Sequence, residues 1–149
     1  MVPAPPAERG DFRRPQALLA PRVAPGASAE AVALAWMLLW QAVERALIPI
    51  VGVRGVAALF NRSLRLAAEA GHPWLDPRRA EPGSRVDAPA LQARLAQRGS
   101  AEALAGGDAL LKSFDSLLAS LVGESLTERL LGAVWSQPTR RQAAQDNPP

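Results

Sequence analysis

Cysteine is absent from this chain of 149 residues, and histidine occurs once, as His72. The lack of cysteine excludes disulfides, thiolate metal sites and cysteine nucleophiles. A zinc site of the usual kinds needs several cysteine or histidine ligands, and a Ser-His-Asp triad would depend on the single imidazole. We therefore expect no metal site and no cofactor.

Motifs for nucleotide binding and nucleophilic catalysis are missing as well. The chain contains no G-x-x-x-x-G-K-[ST], G-x-G-x-x-G or G-x-S-x-G segment. Asp108, Lys112 and Asp115 have the i, i+4, i+7 spacing of a solvated salt-bridge face on a helix. His72 follows a predicted helix end, where an imidazole can bond the last carbonyl groups. The sequence predicts no catalytic residue, and we expect the protein not to be an enzyme.

Lysine is nearly absent, since sixteen of the seventeen basic residues are arginine; fourteen acidic residues leave a net charge of +3. Abundant arginine and alanine suit a GC-rich, bacterial coding sequence. Arg54, Arg62 and Arg65 share one face of a predicted helix and form a candidate anion-binding face. Glu69 and Glu81 dilute this positive charge, so no specific nucleic-acid binding is expected.

A long hydrophobic run is missing too. The most apolar stretch, residues 29–40, covers twelve residues. Gln41 and Glu44 follow well before the roughly 20 apolar residues that a membrane-spanning helix needs. Glu8 and Asp11, in the segment ahead of this stretch, do not fit a cleaved signal peptide. We expect no membrane span and a cytoplasmic location.

The composition changes at both ends of the chain and once near its middle. Residues 1–27 contain six prolines and four arginines with little apolar periodicity, which predicts a disordered arm. Residues 137–149 are polar and end in Pro-Pro, which predicts a disordered tail. Residues 76–87 combine proline, glycine and charge, as an internal surface linker does. A helical domain is therefore expected over residues 28–136.

Apolar residues recur at helical spacing after Ser28, which is a favourable N-cap. A first helix is predicted over 28–50, before Gly52. A second is predicted over 54–70, closed by Gly71. The residues expected to be buried are Val32, Trp36, Leu39, Val43, Ala46 and Ile50 in the first helix, and Val56, Leu59, Phe60, Ser63 and Ala67 in the second.

A longer helix and a final helix are predicted in the second half of the chain. The longer one has Ser100 as its N-cap, although Gly106 and Gly107 are poor helix formers and can mark its true start. Ser125 and Glu128 match the S-x-x-E capping box and predict the start of the final helix. The residues expected to be buried are Leu104, Leu111, Phe114, Leu118 and Leu121 in the longer helix, and Leu126, Leu130, Leu131 and Val134 in the final one.

The two halves resemble each other at a constant offset of 71 residues. Residues 50–60 resemble residues 121–131, and Val43 matches Phe114 upstream. A chance likeness between two leucine-rich hairpins would give the same pattern. With or without a repeat, the expected fold class is all-α: a four-helix-bundle-like domain of two helical hairpins with an additional short linking helix over 88–97.

The first predicted helix is apolar on more than one side. Leu34 and Leu38 fall nearly opposite Trp36 on a 3.6-residue wheel, with Met37 between them. Either the bundle or the N-terminal arm covers this second face, or the face binds a homodimer mate or another protein partner. We expect a non-enzymatic, helical protein-interaction or regulatory module.

Two alternative functions follow from other residues. Trp36, Trp40, Phe60 and Phe114 all lie on predicted core faces and would line a pocket for a small apolar ligand, as in a ligand-sensing bundle. Nucleic-acid binding would instead use the arginine face of the second helix, which is the segment nearest to a recognition helix.

Overall fold

The computed structural model describes residues 17–77 and 87–136. The predicted tail, the first sixteen residues of the predicted arm and most of the predicted linker lie outside the described residues. Every long element within the described ranges is a helix, which confirms the all-α, bundle-like fold. The helices are α1 (Ala29–Glu69), α2 (Ala88–Ala96), α3 (Ser100–Val122) and α4 (Glu124–Ser136), with short 3-10 turns at Ala20–Arg22 and Pro73–Leu75.

Helix α1 is broken at Gly52, as the sequence predicts. Gly52 has φ +81° and ψ 163°, a backbone conformation that L side chains rarely adopt. The break divides α1 into two arms, α1a (29–51) and α1b (53–69). The rings of Trp40 and Phe60, one on each arm, have centroids only 4.8 Å apart. Arm α1b therefore folds back along α1a and makes the first hairpin.

Helices α3 and α4 make the second hairpin around Gly123, which has φ +94° and ψ 156°. The Trp135 indole Nε1 donates a hydrogen bond of 3.1 Å to Asp115 Oδ1 across this hairpin. Inside the turn, the Thr127 hydroxyl donates to the Gly123 carbonyl at 2.8 Å. The buried carboxylate and the indole thus hold the two helices of this hairpin together.

The two hairpins repeat each other in backbone conformation at the predicted offset of 71 residues. Gly52 and Gly123 have almost the same φ and ψ. Helix α1 begins at position 29 and α3 at position 100, each after an extended N-cap residue, Ser28 or Gly99. The equivalent pairs Val43 and Phe114, Leu47 and Leu118, and Phe60 and Leu131 are buried in both units. The structure therefore supports an internal repeat.

The two hairpins also point the same way. Trp36 lies against Gly107, and Trp40, one turn later, packs edge-on against Phe114 with ring centroids 5.0 Å apart. Residues further along α1a thus contact residues further along α3, so the two helices are parallel where they meet. Both glycine turns, at residues 52 and 123, consequently lie at one end of the bundle, called the junction end below.

The predicted disorder of residues 1–27 is wrong for residues 17–27. Leu18 and Leu19 are buried, and their backbone amides both donate to Asp108 Oδ1, that of Leu19 at 3.0 Å. Arg22 Nη2 donates to the carbonyls of Val134 at 2.6 Å and Trp135 at 2.9 Å. Burial lowers the pKa of the Arg22 guanidinium below its ordinary value. Residues 17–27, which include the 3-10 turn at Ala20–Arg22, therefore pack on α3 and on the C-terminal end of α4, away from the junction end.

Gly106 and Gly107 lie inside α3 and do not mark its start. A Cβ on Gly106 would collide with the indole of Trp74, and one on Gly107 would lie 2.8 Å from Leu19 Cδ2. The glycine pair therefore lets two large side chains approach the α3 backbone. Ser100 is the first helical residue, and its predicted N-cap role is wrong because Gly99 occupies that position.

Three other local predictions are wrong. Ser125 lies exposed inside α4, which begins at Glu124, so Ser125 is not the N-cap that the capping box requires. The apolar spacing predicts Ile50 and Leu121 in the core, but both are exposed because each hairpin reverses just beyond them. Leu126 is also exposed, and Thr127 occupies the buried position beside it.

The glycine pair yields a stability prediction. Gly106→Ala should destabilise the protein by about 1–3 kcal/mol through overpacking against the rigid indole ring of Trp74, although helix propensity alone would favour alanine by about 1 kcal/mol. Gly132→Ala in α4 is the control, because its Cβ would meet only Glu128 Cγ at an ordinary 3.4 Å. That variant should be stabilised. Urea unfolding measures both, and a stabilised Gly106→Ala protein would contradict the packing of Trp74 against α3.

Candidate functional site

The predicted partner face lies on the outer side of α1a. The side chains of Leu34 and Leu38 are 53% and 49% exposed, and that of Met37 is half-buried. In the N-terminal segment, Leu18 and Leu19 do not cover this face but pack near Asp108 on α3. Both leucines of the predicted face are therefore accessible from solution.

The exposed stripe of α1a changes in character along the helix. Ala31, Leu34 and Leu38 are followed at helical spacing by Gln41 and Arg45, and all five are exposed. The apolar half of the stripe is thus bounded by polar and charged residues toward the junction end. An apolar centre with a polar rim is the usual composition of a protein-binding surface.

The four aromatic residues of the predicted ligand pocket do come together, and they contact one another directly. Trp36 stacks on Trp40 with centroids 5.9 Å apart, and Phe60 lies 6.2 Å from Trp36. Phe114 of α3 completes the cluster through its edge-on contact with Trp40. Rings at these separations fill the space between them, so the cluster acts as the core that joins the two hairpins.

Sequence reasoning missed a pair of unusual donors close to this cluster. The indole Nε1 atoms of Trp36 and Trp74 are buried and have no hydrogen-bond partner among the residues that the structure describes. The two rings lie against the adjacent positions Gly107 and Gly106. An unpaired buried donor costs about 1–3 kcal/mol, so tight ring packing here outweighs the loss of two hydrogen bonds. No pattern in the sequence indicates which indole finds an acceptor.

The structure brings together two of the three arginines of the predicted anion-binding face. Arg62 and Arg65 line an open depression of about 420 Å³ with Ala58, Asn61 and Pro77. Arg54 is exposed on the same arm but does not line it. Two guanidinium groups side by side can bind a carboxylate or a phosphate.

Asp108 and Lys112 have structural partners, and the His72 backbone takes part in a helix end. Asp108 accepts the two amides of the N-terminal segment and forms a 3.1 Å ion pair with Lys112. The His72 amide donates to the Ala67 carbonyl at 3.2 Å beyond Gly71, which has φ +126°. The bond from the His72 amide and the positive φ of Gly71 form the predicted glycine C-cap of α1.

The described ranges contain no group of three or more acidic or histidine side chains placed to hold a metal ion. Within them, no helix has the length and apolar character required to cross a bilayer. No family model, curated protein or solved structure matches this chain. A functional assignment therefore depends on the geometry of the described residues.

Proposed function

We propose that this protein is a non-enzymatic helical module that binds a protein partner through the outer face of α1a formed by Leu34, Met37 and Leu38. The observation that carries the proposal is the half-exposure of both leucines on a helix whose other side is fixed in the core. A regulatory role would follow from such binding.

The energetics favour a protein partner for this face. Removing the exposed part of two leucine side chains from water would contribute about 1 kcal/mol each, because a fully buried leucine contributes roughly 1.5–3 kcal/mol. Leucines four residues apart on a helix are the spacing with which an amphipathic helix occupies an apolar groove.

The rigidity of α1a adds to this argument. Trp36, Leu39 and Trp40 on its inner side are buried. The outer face is thus preorganised, and little side-chain or backbone freedom would be lost on binding.

Site-specific photo-crosslinking tests the proposal. A photoreactive amino acid at position 34 or 38 should give the same discrete adduct in cells that express the full chain. The controls are the exposed positions of Ala57 on α1b and Glu128 on α4, which should not give it. Adducts that are identical at all four positions, or absent from 34 and 38, would contradict the proposal.

A substitution on the same face provides the energetic test. Leu38→Asp should leave the free energy of unfolding within about 0.5 kcal/mol, as for most surface changes. It should weaken binding of the crosslinked partner by at least about tenfold, because an interface tolerates an unpaired charge poorly. Leu39→Asp is the matched control on the inner side, and it should unfold the protein. A Leu38→Asp variant that unfolds, or binds normally, would refute the assignment of this face.

A further inference from the structure

Arg62 and Arg65 carry positive charges that their surroundings in the structure do not neutralise. Both residues are exposed, and they lie three positions apart on α1b, so their side chains are neighbours on one helix face. Within the described ranges neither arginine forms an ion pair, whereas Lys112 on α3 pairs with Asp108 at 3.1 Å. Like charges at this spacing destabilise a helix, and a bound anion would remove that cost.

Acidic side chains are scarce beside the two arginines. Glu69, the one acidic residue of α1b, follows Arg65 by four positions but forms no ion pair with it among the described residues. Asp76, beyond the end of α1, has an interaction partner of its own. Arg54 adds a third positive charge to the arm. Arm α1b therefore carries three arginines and one glutamate, and its field attracts anions.

The two guanidinium groups border the open depression of about 420 Å³, whose other walls are Ala58, Asn61 and Pro77. This volume lies within the range of small-molecule sites. The Asn61 amide nitrogen donates one hydrogen to the Ala57 carbonyl at 3.2 Å, which leaves its second hydrogen for a ligand. Ala58 and Pro77 supply uncharged apolar surface. The depression thus combines anion-binding donors with an apolar wall.

The donors of this depression match a phosphate monoester better than other biological anions. A phosphate monoester carries a charge of about −1.5 to −2 at neutral pH and has three terminal oxygens that accept hydrogen bonds. Two guanidinium groups supply two positive charges and paired N–H groups, which bind phosphate oxygens in a bidentate manner. A carboxylate or a phosphodiester carries a single charge and would leave one arginine without compensation.

We propose that Arg62, Arg65 and Asn61 bind the phosphate group of a small phosphate monoester. The two arginines neutralise its charge, and the amide of Asn61 donates to a remaining oxygen. The organic part of the ligand lies against Ala58 and Pro77. This site is on α1b and does not depend on the proposed partner face of α1a.

Isothermal titration calorimetry of the full chain with phenyl phosphate tests the site, and it should show saturable binding of one molecule per chain. Arg62→Gln and Arg65→Gln should each weaken binding at least about tenfold, because each removes a charge-assisted contact. Arg54→Gln is the matched control. It removes the same charge from the same arm but outside the depression, so screening should limit its effect to less than about threefold. All three positions are exposed, so circular dichroism should show wild-type helix content.

A second ligand tests the chemical class. Methyl phenyl phosphate, a diester with a single charge, should bind at least about tenfold more weakly than phenyl phosphate, because it leaves one arginine uncompensated. Equal binding of the two esters would overturn the assignment to monoesters. Binding to phosphatidic acid vesicles without binding of phenyl phosphate in solution would overturn the small-molecule ligand and assign the site to a lipid headgroup.

Two outcomes would overturn the site itself. One is the absence of saturable binding, and the other is an equal loss of affinity in the variants at positions 54, 62 and 65. Leu38→Asp should bind phenyl phosphate as the wild-type protein does, which separates a failure of this site from a failure of the proposed function.

Discussion

Two glycines at positive φ determine how this chain folds. Gly52 and Gly123 reverse the direction of a helix within one residue, and a Cβ built on either would meet no other atom within 4 Å. Glycine is therefore needed at these two positions because of the backbone conformation, and not because a side chain would collide with its surroundings. The reversals place Phe60 against Trp40. The helix packing within each hairpin follows from these two turns.

The surfaces that remain free follow from the same geometry. Because α1a and α3 are parallel, both turns lie at one end, and Ile50 and Leu121 near the ends of the two helices are left outside the core. At the opposite end, Leu19 and Trp74 fill the space against the Gly106-Gly107 pair. No segment within residues 17–77 and 87–136 covers the outer side of α1a in this way, and Leu34 and Leu38 are about half exposed there.

Local patterns in the sequence predict the helices, because a 3.6-residue apolar period and a glycine stop signal are both local. Patterns of this kind do not show where Leu18 and Leu19 dock, since that contact depends on Asp108, which lies about ninety residues away. Ser125 and Glu128 match the capping-box pattern, but α4 already begins at Glu124, directly after the turn at Gly123. The aromatic residues could be assigned to one cluster from their core positions. Whether they enclose a cavity or fill it depends on ring orientations that only the folded structure shows.

The backbone requirement at the two turns can be measured directly by comparing L-alanine with D-alanine at position 52, the latter introduced by protein semisynthesis. L-alanine at φ +81° should cost about 1–3 kcal/mol of unfolding free energy. D-alanine, whose mirror-image preferences allow this φ, should leave the stability close to that of the glycine protein. Equal losses with the two enantiomers would contradict the account, because the restriction would then be one of space around residue 52.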